Sequence, residues 1–297
     1  MQQGPPPELE GVTHHHVEVN GTRLHVAEAG QGPAVLLLHG WPQHWWIWRK
    51  VIPALARDRR VICPDLRGFG WSDAPPGDYE VQGFADDTLA LLDELGLDQV
   101  DLIGHDWGGY TGFLLCLGAP KRIRHYLALG IVHPWFEPPQ PSLQALQRTA
   151  YQFILATPGL GSGVLRFVPG FVRLVLRRGA HPSMSWSREE LDCYAESFQP
   201  ADHANAASHV YRSFLTRELP RLKKGHYRSQ RSSVPTRILA GEADPVIRPE
   251  ILAGYEPYAE EMSVEVVERC GHFVAEERPD VVIERARELF GPADSAS

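Results

Sequence analysis

The hydrophobic positions of the chain fall into short runs separated by amphipathic segments. Residues 16–19 and 22–27 flank Asn20-Gly21, a pair typical of a two-residue hairpin with a type I′ turn. Six further apolar runs predict strands at residues 34–38, 60–65, 99–103, 123–132, 235–241 and 264–267. Helical periodicity predicts helices at residues 45–55, 84–95, 110–117 and 279–290. This alternation predicts an α/β fold with a mostly parallel eight-stranded sheet, opened by an antiparallel hairpin and covered by helices on both faces.

The pattern changes between residues 134 and 233, where no apolar run is typical of a buried strand. Helices are predicted there at residues 143–155, 163–176, 188–198 and 204–215. Ser187 and Glu190 have the spacing of a capping box at the start of the third of these. We therefore predict an α/β core of residues 1–133 and 234–297, and an inserted helical cap, or lid, of residues 134–233. The tail from Gly291 is expected to be disordered.

One stretch, Gly104-His105-Asp106-Trp107-Gly108-Gly109, stands between a predicted strand and a predicted helix. Glycines on both sides of Asp106 permit a very tight turn that lifts the central side chain out of the sheet. The free backbone N–H groups and the dipole at a helix N-terminus favour a negative charge there. A carboxylate is already ionised at neutral pH, so Asp106 needs no base to attack an electrophile. The alternative is an aspartate that only caps the helix.

Composition narrows the class of protein. The chain has 297 residues, 43% of them hydrophobic, which is ample for a sizeable core, and its formal net charge of -8 argues against a nucleic-acid partner. Its four cysteines lie far apart and are interpreted as reduced thiols of a cytoplasmic protein. We expect no secretory signal and no membrane partner, because no run approaches the ~20 apolar residues of a membrane span. Residues 14–16, all histidines, alternate between the faces of a strand, so they cannot converge on one metal ion and are expected to be solvated.

Other polar residues follow the predicted strands and should meet Asp106 at the carboxyl edge of the sheet. They are His39-Gly40, Asp65, Asp244 and His272. The chain order of Asp106, then Asp244, then His272 is the order of the α/β-hydrolase triad. Asp65 is a weaker rival for the orienting role, because it precedes Asp106 in the chain.

On these residues the sequence resembles the α/β-hydrolases over nearly its whole length. An aspartate as nucleophile, with His39-Gly40-Trp41-Pro42 upstream, resembles the branch of epoxide hydrolases and haloalkane dehalogenases. This resemblance implies that Asp106 attacks an electrophilic carbon and forms an ester, and that water activated by His272 then hydrolyses the ester. Asp244 holds the imidazole. Backbone N–H groups of Trp41 and Trp107 would form the oxyanion hole.

The electrophile is not decided by the turn itself, because Trp107 is compatible with both chemistries. The segment that starts at Tyr151 resembles the first lid tyrosine of epoxide hydrolases, and Tyr211-Arg212 resembles the second. A pair of phenols could hold the epoxide oxygen and protonate it as the ring opens. His39, Phe153 and Leu155 are expected at the substrate pocket. The prediction is an epoxide hydrolase that makes vicinal diols from a small apolar epoxide and water, with no metal and no organic cofactor.

Two other functions stay open from the sequence. A haloalkane dehalogenase would use the same nucleophile, but it would need a second Trp or an Asn as halide donor, and Trp41 follows His39-Gly40 where one dehalogenase group has Asn. The second open function is a binding protein that has the hydrolase fold but no catalysis. The complete set of Asp106, Asp244 and His272 argues against this function. A homodimer is compatible with the sequence.

Overall fold

The computed structural model describes residues 4–77, 79–137 and 143–292. Its eight strands form one sheet in the order β1-β2-β4-β3-β5-β6-β7-β8. The two pairings of β2 are antiparallel and the other five pairings are parallel. The mostly parallel eight-stranded sheet predicted from the sequence is therefore confirmed. The strands are β1 (Val12–Val19), β2 (Thr22–Ala29), β3 (Ala34–Leu38), β4 (Arg60–Pro64), β5 (Val100–His105), β6 (Ile123–Leu129), β7 (Thr236–Gly241) and β8 (Met262–Val267).

The first hairpin follows from its turn residues. Val19 pairs with Thr22, and Asn20 and Gly21 both have positive φ, 49° and 72°. Positive φ at both central positions is the requirement of a type I′ turn, whose twist matches that of the strands. The predicted hairpin is confirmed.

The middle of the sheet is buried on both faces. Alternate side chains of β3 enter two different hydrophobic clusters, Leu36 and Leu38 on one side and Val35 and Leu37 on the other. The bounds of the core helices are α1 (Ile52–Leu55), α2 (Val81–Glu94), α3 (Trp107–Gly118), α10 (Val274–Glu277) and α11 (Pro279–Phe290). Side chains of α2 and α3 join the first cluster and those of α11 the second, so helices cover both faces of the sheet.

The segment between β6 and β7 is helical in its described part. Its helices are α4 (Leu143–Ala156), α5 (Leu160–Phe167), α6 (Pro169–Gly179), α7 (Arg188–Glu196), α8 (Ala201–Ser213) and α9 (Leu219–Lys223), with one π-helical turn at Phe214–Glu218. The capping box of Ser187 and Glu190 is present at the start of α7.

Two predicted helices are divided in the structure. Residues 163–176 form parts of α5 and α6, because Pro169 lacks an N–H and takes the first position of a new helix. Residues 45–55 form a 3-10 helix, Trp45–Trp48, and the short helix α1, where Pro53 cannot donate to the preceding turn.

The expectation for the histidines of β1 needs correction. The His14 ring is half-buried and lies on the His25 ring, with 3.0 Å between His14 Nδ1 and His25 Nε2. The His25 imidazole bonds in turn to Asp65 at 2.8 Å. His14 is therefore part of a packed polar network under the first hairpin, and it is not simply solvated.

Among the described residues, no helix has both the length and the apolar composition to cross a membrane. The expectation of a disordered tail falls mainly on residues 293–297, which lie outside the described part of the chain.

Candidate active site

Asp106 occupies the sharp turn between β5 and α3. Its backbone has φ 50° and ψ −119°, a conformation that residues other than glycine rarely adopt. A Cβ on Gly104 would lie 2.6 Å from the Gly108 carbonyl oxygen, and one on Gly108 would lie 2.3 Å from that of Leu38. Glycine is therefore required on both sides of the turn, and the turn presents the Asp106 carboxylate at the carboxyl edge of the sheet.

The structure brings Asp106, Asp244 and His272 together. His272 Nδ1 lies 2.8 Å from Asp244 Oδ2, and His272 Nε2 lies 3.6 Å from Asp106 Oδ2. The other oxygen of Asp244 accepts the backbone N–H groups of Val246 at 2.8 Å and Ile247 at 2.9 Å. Asp244 is thus fixed by its own turn and orients the imidazole toward the Asp106 carboxylate.

The two carboxylates set the charge of the imidazole. Burial alone would lower the pKa of His272, but the charge of Asp244 and the contact with Asp106 raise that pKa to about 10. His272 is therefore protonated at neutral pH. Because its folded pKa lies above the ordinary 6.5, the stability it contributes is complete below about pH 6.5 and is lost as the pH rises toward 10.

Removing the charge of Asp106 should lower the pKa of His272. We expect Asp106→Asn to move the imidazole titration downward by roughly one to three pH units, because one of two stabilising negative charges is lost. The measurement is an NMR pH titration of the His272 ring in both proteins. Asp98→Asn, at an exposed position just before β5, is the matched control. An unchanged midpoint in Asp106→Asn would contradict the electrostatic coupling.

Backbone groups are positioned to stabilise charge on Asp106. The Trp41 N–H donates to Asp106 Oδ1 at 2.8 Å. Trp107 is the first residue of α3, so its N–H belongs to the unpaired set at the helix N-terminus beside the carboxylate. A Cβ on Gly40 would lie 2.4 Å from Asp106 Oδ1, so the backbone before Trp41 approaches the carboxylate closely.

The two lid tyrosines of the sequence prediction meet above this turn. The ring of Trp41 lies 5.7 Å from that of Tyr151, stacked, and 5.3 Å from that of Tyr211, edge-on. The Tyr151 and Tyr211 rings are 5.9 Å apart, and Trp107 packs against Tyr211 at 5.4 Å. Burial raises the pKa of Tyr151 to about 12 and that of Tyr211 well above its usual value. Both phenols therefore keep their proton at neutral pH.

A cavity with two arms joins these groups. One arm, of about 290 Å³, is lined by Asp106, Trp107, Tyr151, Tyr211 and His272 among others. The other arm, of about 650 Å³, opens between α4 and α6 and shares Tyr151 and His272 with the first. Asp106 thus lies at the base of a mostly apolar cavity with a phenol-bearing roof.

The three predicted pocket residues have different positions. Phe153 lines the smaller arm and is half exposed. His39 is fully buried below the site, where its Nε2 accepts the Leu66 N–H at 3.0 Å. Leu155 is fully buried on the inner face of α4, and its carbonyl accepts the Ser208 hydroxyl at 2.7 Å. The structure therefore places His39 and Leu155 in supporting packing and not on the cavity wall.

Asp65 is separated from the triad by its own partners. Its carboxylate accepts the N–H groups of Trp45 at 2.7 Å and Trp71 at 3.0 Å, besides its contact with His25. These bonds assign it to the fold under the first hairpin. In the described part of the chain, no group of three or more His, Cys, Asp or Glu side chains could hold a metal ion.

Sequence reasoning missed the groups that hold the loop of His272. The His272 carbonyl accepts from His105 Nε2 at 2.9 Å, and its N–H donates to the Gly179 carbonyl at 2.7 Å. The Glu277 carboxylate accepts the N–H groups of Gly271 at 2.9 Å and Phe273 at 3.0 Å, on either side of His272.

Glu277 also accepts the His181 N–H at 2.7 Å, so one carboxylate ties the loop to the end of α6. A glutamate five residues after a histidine carries no signal of this role by itself. Only the spatial approach of residues 179–181 to the loop makes the role visible.

The fold, the sharp turn at Asp106 and the triad are those of the α/β-hydrolase class of proteins. The family model of the α/β-hydrolase fold matches residues 33–279, and the chain belongs to this family. Within it, the chain is similar to the soluble epoxide hydrolase of Corynebacterium sp., 31% identical over 95% of this chain and 98% of that protein.

One further relative and one solved structure agree with this placement. Epoxide hydrolase 1 of Siraitia grosvenorii is 31% identical over 92% of this chain and 96% of that protein. The solved structure of epoxide hydrolase CorEH without ligand matches with a TM-score of 0.84 at 30% identity, over 94% of this chain and 98% of that one. The resemblance to the epoxide hydrolase branch predicted from the sequence is confirmed.

Proposed function

We propose that this chain hydrolyses small apolar epoxides to vicinal diols through an ester on Asp106. The observation that carries the proposal is the cavity in which two protonated phenols, Tyr151 and Tyr211, face the same space as the Asp106 carboxylate. An epoxide needs both an attacking carboxylate and a proton donor for its departing oxygen. The names of the relatives support the same substrate class.

The first step opens the ring. One Asp106 oxygen forms a bond to an epoxide carbon, the C–O bond of the ring breaks, and the ring oxygen takes a proton from one of the phenols. The product of this step is a hydroxyalkyl ester of Asp106. The resulting phenolate takes the proton that His272 gives up once Asp106 is esterified.

The second step regenerates the carboxylate. Esterification removes the charge of Asp106, which lowers the pKa of His272 and lets it lose its proton. Neutral His272 then takes a proton from water, and the water oxygen attacks the ester carbonyl carbon of Asp106. The N–H groups of Trp41 and Trp107 stabilise the oxyanion. Its collapse breaks the bond between the carbonyl carbon and the diol oxygen, which takes the proton of the new carboxyl group, so that the diol leaves and Asp106 is a carboxylate again. One oxygen of the diol therefore originates from Asp106, and the water oxygen remains in the carboxylate.

A panel of substrates tests the proposal. Aryl and alkyl epoxides and matched haloalkanes are incubated with the purified protein, and diol and halide are quantified. We expect diol formation from at least one epoxide, and one oxygen-18 incorporated into Asp106 during a single turnover in labelled water. Halide release without diol formation would contradict the proposed function.

The phenols give a sharper prediction. Tyr151→Phe and Tyr211→Phe should each lower kcat for epoxides by about 10²-fold, because an oxygen that departs without a proton donor raises the barrier to ring opening. Tyr79→Phe is the matched control, since its buried hydroxyl donates to the Pro75 carbonyl at 2.7 Å outside the cavity. Steady-state kinetics measure the effect. Unchanged turnover in both cap variants would remove the phenols from the mechanism.

Glu277 gives a prediction about positioning. Glu277→Gln keeps the size of the side chain but presents an NH₂ group to backbone donors that now meet a carboxylate. We expect kcat to fall roughly ten- to a hundredfold with KM nearly unchanged, because His272 loses its alignment. The free energy of unfolding should fall by about 2 kcal/mol. Glu284→Gln, on the exposed side of α11, is the control. A change in KM alone would contradict the positioning role.

One observation favours a second activity, dehalogenation. Trp41 Nε1 is buried without a hydrogen-bond partner among the described residues, and the backbone of Trp41 contacts Asp106. Indole N–H groups are donors only, and a departing halide would accept their hydrogen bonds. The haloalkane arm of the substrate panel measures this activity directly.

A further inference from the structure

The exposed apolar side chains of this molecule are concentrated on three successive helices. Nine large hydrophobic side chains are exposed among the described residues, and eight of them lie between residues 143 and 174. They are Leu143, Leu146, Phe153, Ile154, Leu160, Phe167, Val168 and Leu174 on or between α4, α5 and α6. The ninth, Val266, is in β8. Scattered exposed apolar residues are normal, but a concentration of this kind marks an interaction surface.

The same helices have an unusual charge. Residues 143–179 contain five arginines and no Asp or Glu, in a chain with 37 acidic residues and a net charge of -8. Arg173 pairs with Asp192 of α7, whereas the guanidinium of Arg166 lies 4.8 Å over the Phe167 ring. Arg177 and Arg178 are exposed, and neither forms an ion pair with a described residue.

The geometry of α4 shows how the surface is built. Leu143, Leu146, Ala150 and Phe153 are spaced three, four and three residues apart, and all are exposed, so they form one exposed stripe. Ala150 and Phe153, at one end of this stripe, also line the cavity. The opposite face of α4 carries Leu155, which is fully buried. The helix is therefore apolar on both sides, although only the inner side is covered by protein.

The corner between α5 and α6 also exposes apolar side chains. Phe167 is 72% exposed and Val168 is 51% exposed at the junction of the two helices. Leu160, two helical turns before Phe167, lies on the same outer face of α5. An exposed phenylalanine, Phe167, close in sequence to several arginines is typical of a segment that inserts shallowly into a lipid interface.

We propose that α4, α5 and α6 form a docking surface for an anionic lipid membrane, with the larger arm of the cavity opening onto it. Ile154, Leu174 and Arg178 line that arm at its mouth and belong to the same helices. A symmetric contact with a second copy would bring the arginines of the two copies together without carboxylates from these helices to pair them. In an anionic membrane the lipid headgroups pair with the arginines, and the apolar side chains insert at the boundary between headgroups and acyl chains.

This docking is peripheral and needs no spanning segment. The sequence-based expectation of no membrane partner rested on the lack of a spanning run, which does not bear on a surface built by three separate helices. If the proposed function also holds, an apolar epoxide dissolved in the lipid could enter the cavity without crossing water. The docking itself does not depend on that activity.

The test is co-sedimentation of the purified full chain with vesicles. Vesicles of phosphatidylglycerol and phosphatidylcholine in equal amounts are compared with vesicles of phosphatidylcholine alone, at low and high salt. We expect binding to the anionic vesicles only, weakened by salt. Leu146→Ser/Leu160→Ser/Phe167→Ser should weaken binding by at least about tenfold. Arg166→Gln/Arg177→Gln should weaken it by roughly tenfold.

Controls separate this result from general effects. Val266→Ser removes an exposed apolar side chain of β8, and Arg57→Gln removes an exposed charge of the core, and neither should change binding. Thermal unfolding checks that each variant folds, and the double arginine variant tests the surface if the triple variant does not fold. Equal sedimentation with both vesicle types, or full binding by the folded variants, would overturn the proposal. A dimer in light scattering that the triple variant abolishes, without vesicle binding, would assign the surface to a second copy and also overturn it.

Discussion

Asp106→Asn should abolish hydrolysis of every epoxide that the wild-type protein turns over, with a fall in kcat of about 10⁵-fold. The amide oxygen of Asn still accepts the Trp41 N–H, which now donates to Asp106 Oδ1 at 2.8 Å, so the turn keeps its shape. The variant loses only the negative, nucleophilic oxygen. In the proposed mechanism the phenols donate a proton and His272 activates water, so neither supplies an oxygen that attacks the epoxide carbon.

The effect is measured by product formation under single-turnover and steady-state conditions. Asp98→Asn removes a carboxylate at an exposed position of the same strand connection and should leave kcat unchanged. Intact mass of the variant before and after the assay excludes reversion of Asn to Asp. Hydrolysis at more than about a tenth of the wild-type rate would show that water attacks the epoxide directly and that Asp106 is not the nucleophile.

His272→Gln should separate the two steps. Ring opening needs Asp106 and the phenols and should proceed, whereas hydrolysis of the ester needs a base and should stop. We expect kcat to fall by about 10³-fold or more and the protein to gain the full mass of one epoxide molecule. Intact mass spectrometry with peptide mapping should place the added mass on Asp106.

A histidine elsewhere provides the comparison. His226→Gln changes an exposed ring near Tyr227, outside the catalytic cavity, and should neither slow turnover nor accumulate an adduct. Absence of any adduct in His272→Gln, with a substrate that the wild-type protein hydrolyses, would contradict the two-step mechanism. An adduct on a residue other than Asp106 would assign the nucleophile elsewhere.

The turn residues explain why so much of the fold could be predicted. Asn20-Gly21 admits only a few backbone conformations, and the hairpin follows from them. The glycines around Asp106 are required by contacts under 3 Å to backbone atoms of neighbouring strands and helix, so their spacing in the sequence already indicates the sharp turn. Apolar runs with buried side chains on both faces, as in β3, are equally direct evidence for a central strand.

The ends of the helices and the packing of individual side chains were harder to predict from the sequence. The division of residues 163–176 into two helices depends on Pro169, whose effect on a helix is visible in the sequence but was outweighed by the apolar periodicity around it. His14 was expected to be solvated because consecutive residues of a strand alternate between its faces and cannot converge on one metal ion. Instead its ring packs on His25, a residue 11 positions later on the neighbouring strand.

The sequence by itself determined the class of fold and the order of the triad, because both rest on local signals: periodicity, turn residues and polar residues after strands. Only the tertiary structure decided which side chains surround Asp106 and His272. It placed Tyr151 and Tyr211 over Asp106, withdrew His39 and Leu155 from the cavity, and joined Glu277 to both sides of His272. These contacts join residues distant in sequence, or depend on how a loop folds back, and the pattern of a linear chain does not contain such distances.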